Sequence, residues 1–145
     1  PEMSRGLGDV YKRQAVDGLT ARTLAVQKGD SILDAAISEI MAQDNPPTAL
    51  CFHQDSQAIP LFFRLQRSGL SVPGDISVTG FDDSTFAKEA ELTTVRQRPY
   101  DMAVDAAQKA LALIEGQPIE EPFETFPVQL QVRNSTAKPR TAPLL

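Results

Sequence analysis

Two adjacent carboxylates, Asp82 and Asp83, follow a glycine and an aromatic residue at the end of a short apolar run, in the stretch DISVTGFDD from Asp75 to Asp83. The same polar step recurs twice. Gln54-Asp55 follows the apolar run TALCFH, and Arg96-Gln97 closes the run LTTVRQ. If the three runs are parallel strands, their carboxyl ends form one rim, and ligands of open α/β sheets bind there. A carboxylate accepts from two hydroxyls, and an amide both donates and accepts. Such a rim suits a polyhydroxylated or purine-like small molecule. Phe81 adds an aromatic face at the same edge, with core packing as its alternative. The candidate ligand contacts are therefore Gln54, Phe81, Asp82 and Gln97. Asp55 and Asp83 are expected to cap the helices that follow, the ordinary role of Asp after a strand. Arg96 is expected to pair with one of these acids.

A nucleophilic alternative is weak. Cys51, His53 and Asp55 alternate, so a strand would place all three on one face, and their types are those of a thiol hydrolase. Neighbours along one strand face stand about 6–7 Å apart, too far for direct hydrogen bonds between their functional groups. Cys51 is expected to sit mid-strand as a small core hydrophobe. His53 is the single histidine of the chain and cannot form a metal site by itself. No P-loop, GxGxxG or GxSxG is present. Neither an enzyme nor a cofactor is expected.

These residues need a scaffold, and the periodicity supplies one. Leu24 to Gln27 reads as a strand. A helix follows from Asp30 or Ser31, with Ile32, Ala35, Ala36, Ile40 and Met41 at helical spacing, and Asn45-Pro46-Pro47 stops it. Thr48 to His53 is a second strand, apolar enough to be covered on both faces. A helix over Gln57 to Arg67 carries Ile59, Leu61, Phe62, Phe63 and Leu65, with Pro60 in its first turn and Gly69 as its stop. Ile76 to Thr79 is the third strand, Ser84 to Ala90 a short helix, and Leu92 to Gln97 the fourth strand. Asp101 to Glu115 is the clearest helix, with Ala103, Ala107, Ala110, Leu111 and Ile114 as its stripe. Val128 to Val132 alternates as a half-buried strand, and the polar chain from Thr136 reads as a frayed end. The alternation of strands and helices predicts an α/β fold with a mainly parallel sheet and helices on both faces.

The chain has 145 residues and a net charge of −5, with 41% hydrophobic and 23% charged residues. That is enough for one domain with a sizeable core. With no basic face or Lys/Arg run it offers no footprint for nucleic acid. Its single cysteine rules out an internal disulfide framework and fits a reducing compartment. No apolar run approaches the roughly 20 residues of a membrane span, so a cytoplasmic protein with no membrane partner is expected. Residues 1–14, PEMSRGLGDVYKRQ, show no periodicity and read as a non-native segment, leaving residues 15–138 as a partial domain and 139–145 as a flexible tail.

Four blocks in order, PTALCFHQD, GLSVPGDISVTGFDD, LTTVRQ and VQLQVRNST, resemble the C-terminal part of the LacI/GalR family of bacterial transcription regulators. The match runs over about residues 22–138, and the order and spacing of the blocks make it specific. The resemblance implies a periplasmic-binding-protein-like lobe, here partial, in which a sugar or related effector sits between two lobes. It implies operator binding through a helix-turn-helix domain missing from this chain, and a homodimer. Asp82 matches a common effector contact, Gln97 a glutamine at the hinge, and Gln54 an asparagine that touches effector. Pro60 stands where a small residue is usual. The helix over Gln57 to Arg67 and the segment after Asp83 lie near the dimer interface in similar proteins. Helix Asp101 to Glu115 would belong to a first lobe that is mostly absent, leaving its apolar stripe short of partners. The alternative is a sugar-binding protein of a transport system, with the same lobes.

Overall fold

A computed structural model describes residues 46–119 and 121–141, together with residues 35, 37, 38, 41, 42 and 44. The chain divides into two compact units, Pro1–Ala36 and Ile37–Leu145, and the architecture below is that of the second. The strand expected at Leu24 to Gln27 and the 1–14 segment lie outside the described residues. So does most of the first helix. Ala35, Ile37, Ser38 and Met41 are helical, and Ile37, which was not assigned to the stripe, is buried.

The elements are β1 (Ala49–Cys51), α1 (Asp55–Arg67), β2 (Ser77–Thr79), α2 (Thr85–Glu89), β3 (Thr94–Arg96), α3 (Pro99–Ile114) and β4 (Gln129–Gln131). β1 pairs in parallel with β2, with Ala49 opposite Ser77 and Cys51 opposite Thr79. On the other edge of β2 a parallel bridge joins Thr79 to Thr93. The pairing runs beyond the strands. Phe52 N donates to Thr79 O at 2.9 Å and Asp55 N to Phe81 O at 2.8 Å, while Gly80 N and Asp82 N donate to Thr93 O and Val95 O, both at 2.9 Å. The stretch through Asp82 is thus bonded to chain on both sides, which satisfies its backbone groups deep in the fold. β4 returns antiparallel on β3, with Val95 opposite Leu130.

α1 buries Ala58, Leu61, Phe62 and Leu65, one face at i, i+3, i+4 and i+7. They join Ile76, Val78, Ala87 and Leu92 in the core. Phe63 and Ile59 fall off that face: Phe63 is exposed and Ile59 only half-buried. The helix starts at Asp55, two residues before the expected Gln57, so Pro60 lies in its second turn rather than its first. It ends as expected, with Gly69 at φ 86° and Leu70 N donating to Leu65 O at 3.0 Å, the pattern of a left-handed helix stop.

Two expectations of burial fail. Ala49 and Cys51 are exposed, because β1 has β2 as its sole partner strand among the described residues. Val128, Leu130 and Val132 are 56%, 63% and 71% exposed and Gln129 is exposed as well, so β4 is uncovered rather than half-buried. α3 has no buried residue, and its stripe is open, in keeping with the shortage of partners that the resemblance implied. The segment after β4, by contrast, is more anchored than the expected frayed end. Ser135 is fully buried; its Oγ donates to Val78 O at 2.6 Å and accepts from Thr93 N at 2.8 Å. Thr136 Oγ1 bonds Thr93 Oγ1 at 3.1 Å, and Ala137 N donates to Ser77 Oγ at 3.1 Å. Arg140, inside the expected 139–145 tail, donates to Asp75 O and Pro46 O at 3.0 and 2.9 Å.

Gly80 sits where the crossing elements come closest. A Cβ there would collide with Asp55 Oδ1 and stand 2.9 Å from Leu92 Cδ2. Gly80→Ala should therefore destabilise the fold by about 1–3 kcal/mol through overpacking, read as a lower urea midpoint at unchanged m-value.

Candidate functional site

The rim is built by three loops, and one buried side chain ties them together. Asp55 is the first residue of α1 and 1% exposed. Its Oδ1 accepts from Thr94 Oγ1 at 2.6 Å and its Oδ2 from Ser84 N at 2.8 Å. The loop after β1, the loop after β2 and the start of β3 thus share one carboxylate. Asp55 does not cap its own helix. Gln54 occupies the N-cap position and makes no side-chain cap bond. Buried polar atoms need partners, and Asp55 meets that need across the sheet.

Asp83 is also not a cap. Ser84 takes that role for α2, accepting from Ala87 N at 3.2 Å. The Asp83 side chain is 2% exposed and ringed by cations: Arg96 Nε at 2.5 Å, Arg133 Nη2 in a short contact, and Lys88 Nζ at 3.9 Å. Arg96 therefore pairs with one of the acids, as expected. Burial pushes the Asp83 carboxyl up, but hydrogen bonds and charge from Arg133 and Arg96 outweigh it and hold it below the usual carboxylate range. Arg133 is itself fixed, with Nη1 on Leu92 O at 2.7 Å and its backbone N on Thr93 Oγ1 at 3.0 Å.

Asp82 and Gln97 come together at the exposed side of this cluster. Gln97 Nε2 donates to Asp82 Oδ1 at 2.8 Å. Asp82 adopts φ 114° and Asp83 φ 54°, and the former is a region that residues with a side chain rarely enter. Phe81 is half-buried, and its carbonyl accepts from Asp55 N, so it lies directly beside the start of α1. Gln54 is exposed, with Ser56 Oγ donating to its Oε1 at 3.4 Å. Two of the four candidates are thus joined side chain to side chain. Phe81 precedes Asp82 in the same loop and Gln54 lies on the loop after β1, with no side-chain hydrogen bond from either to the pair among the described residues. Cys51 and His53 are exposed and Asp55 is buried in a helix, so the alternating trio does not assemble. Among the described residues no group of three metal-ligating side chains exists, and no helix is long and apolar enough to cross a membrane.

Arg133 and Thr94 are the residues that sequence reasoning missed. A signal was present: two consecutive acids at a buried strand end call for cations, and Arg133 lies within the last of the four blocks.

Residues 6–136 match the family described as periplasmic binding protein-like domain. Over 97 residues, 65% of this chain, the sequence is 40% identical to the arabinose metabolism transcriptional repressor of Geobacillus stearothermophilus and covers 27% of it. Over 134 residues, 89% of this chain, it is 34% identical to the HTH-type transcriptional regulator GalR of Escherichia coli (strain K12) and covers 39% of that protein. A solved LacI family transcriptional regulator from Bifidobacterium animalis subsp. lactis superposes with a TM-score of 0.80 at 25% identity, over 93% of this chain and 51% of that one. The chain therefore spans well under half the length of these two curated relatives and about half of the structural one.

Replacing Asp83 by Asn leaves the largely buried Arg133 and the half-exposed Arg96 without a counter-charge and should cost about 1.5–3 kcal/mol at pH 7, the worth of hydrogen bonds to a charged group. Because the folded carboxyl titrates below its unfolded value of about 3.9, its contribution is full above that pH and fades as pH falls through the folded value. Urea melts of wild type and Asp83→Asn should thus converge in acid, below about pH 4.

Proposed function

The chain belongs to the family of periplasmic binding protein-like domains, its relatives are LacI/GalR-type regulators as the four sequence blocks implied, and on that footing we propose that it is the effector-binding and dimerisation part of such a regulator. The effector is a sugar or a related polyhydroxylated metabolite. The observation that carries this reading is the Asp82–Gln97 pair: a carboxylate and an amide, bonded to each other at 2.8 Å on an exposed rim, with the carboxylate on strained backbone. Strain of this kind persists where surrounding structure enforces it, and it concentrates at ligand sites. Phe81 precedes Asp82 in the same loop, and Gln54 lies on the loop after β1, whose Asp55 N bonds Phe81 O. The name of the 40% identical relative, an arabinose metabolism repressor, supports a sugar over a purine.

The rim is one wall of a cleft. Its opposing wall, and the DNA-binding segment, would come from protein beyond the described lobe, in keeping with the share of the relatives that the chain spans. Dimerisation fits the exposed apolar residues of the first two described helices, Phe63 on α1 at 44% and Phe86 on α2 at 70%. Coupling to DNA would require the effector to bind two arrangements of the lobes with different affinity.

Calorimetry on the full-length regulator, with a panel of aldopentoses and aldohexoses that includes L-arabinose, tests the reading. At least one sugar should bind, and Asp82→Ala should weaken it by roughly 10- to 100-fold, the worth of hydrogen bonds to a charged group. The 145-residue chain alone should bind the same sugar far more weakly, since a single wall cannot bury a small ligand on both sides. A reading frame upstream with no helix-turn-helix would sink the regulator assignment, and a panel without a binder would sink the sugar.

A further inference from the structure

We propose that Asp83 and Arg96 are positioning residues: their ion pair, buried at the carboxylate, half-exposed at Arg96 and completed by the largely buried Arg133, clamps Asp82 and Gln97 into the one placement in which these two side chains meet. The proposal rests on the reading of Asp82 and Gln97 as ligand-facing groups, and it concerns what holds them there. Each member of the Asp82–Gln97 pair is the chain neighbour of a member of the Asp83–Arg96 pair. Asp82 and Gln97 bond at 2.8 Å on the surface, and one residue away Asp83 and Arg96 bond at 2.5 Å with the carboxylate 2% exposed. The two contacts bridge the same two segments, beside the backbone bond from Asp82 N to Val95 O at 2.9 Å.

The exposed bond cannot be what fixes this geometry. Water competes for both of its ends, so its net worth is small, while φ 114° at Asp82 and φ 54° at Asp83 oppose it. Residues in such regions stay there only when their surroundings over-determine them. The Asp83 carboxylate supplies that constraint, since it is 2% exposed and holds Arg96 on one side and the 14% exposed Arg133 on the other, the latter contact being little screened by salt. Arg133 adds a second cation whose place is set by Leu92 O and Thr93 Oγ1 rather than by Asp83. Asp83 N in turn faces Thr94 Oγ1 at 3.4 Å, whose proton goes to Asp55. The clamp therefore refers the rim to the most buried part of the fold. A rim held before ligand arrives loses less freedom on binding, which raises affinity without any new contact.

The side-chain amide of Gln97 reports the clamp directly. In the ¹⁵N-labelled 145-residue chain its proton and nitrogen shifts should stand apart from those of a free glutamine amide, and Asp82→Ala should bring them to the free position. Arg96→Gln removes the positive charge at a half-exposed side chain and leaves Arg133 on Asp83, so the fold should survive it. In this variant the Gln97 amide shifts should likewise move to the free position, and in Arg96→Lys most of the displacement should return. A folded Arg96→Gln variant whose Gln97 amide keeps its wild-type shifts would overturn the clamp. So would an Arg96→Lys variant that behaves like Arg96→Gln. If Arg96→Gln does not fold, Arg133→Lys, which keeps charge but loses the forked contact, is read in the same way. L-arabinose affinity of the full-length protein then separates the two readings. Arg96→Gln should weaken binding several-fold when Asp82 is present and have no effect in an Asp82→Ala background. Loss of equal size in both backgrounds refutes positioning through Asp82. No sugar binding together with an intact amide response refutes the ligand assignment and leaves the clamp standing.

Discussion

The carboxylate of Asp55 accepts one bond from the backbone of Ser84 and one from the hydroxyl of Thr94, and the loops at the carboxyl end of the sheet depend on it. Backbone pairing runs past the strand ends only as far as Asp55 and Asp82. A loop at a sheet edge normally wanders over the surface. Here the first residue of α1 reaches across the loop after β2 to β3, and the backbone of Gly80 passes so close to that carboxylate that a side chain would not fit. Everything proposed for the rim follows from this knot, because Gln54 precedes Asp55, Asp82 and Asp83 precede Ser84, and Gln97 lies three residues past Thr94.

Asp55 and Asp83 show how a buried acid differs from the cap it resembles in sequence. Both stand just past a strand and just ahead of a helix, where a capping carboxylate is ordinary. A cap bonds to its own helix and stays near solvent. These two lie 1% and 8% exposed and turn inward to partners far along the chain. Local spacing cannot reveal such partners, since Thr94 and Arg133 lie 39 and 50 residues away. The order of elements, by contrast, is local information and was legible: α1, β2, α2, β3 and α3 all fall within a few residues of their expected bounds. Asp82 and Gln97 were also legible as rim residues from strand ends alone, though their mutual bond was not.

The failures of burial share one cause. Period-2 and period-3.6 patterns identify which residues belong on one face, but not what covers that face. β4, expected to be half-buried, leaves Leu130 63% exposed, and α3, whose stripe the resemblance left short of partners, has Ile114 at 81% exposure. An apolar face of that extent is characteristic of a surface meant to be covered. β1 behaves in the same way at the sheet edge, where Cys51 was expected in the core and is exposed.

The anchoring of residues 133–140 has a consequence for how the molecule is made. Ser135 fills the middle of the sheet, yet it lies 57 residues from Val78 and 42 from Thr93 in the chain. A ribosome delivers the chain from its N-terminal side at about 5–20 residues per second. β1, β2 and β3 are therefore synthesised well before the serine that plugs the buried donor and acceptor between β2 and β3. During that interval Val78 O and Thr93 N lack their mature partner, and a nascent chain waiting at this stage is an open sheet with exposed polar and apolar edges. Chaperone demand for this lobe should be concentrated in the last seconds of its translation.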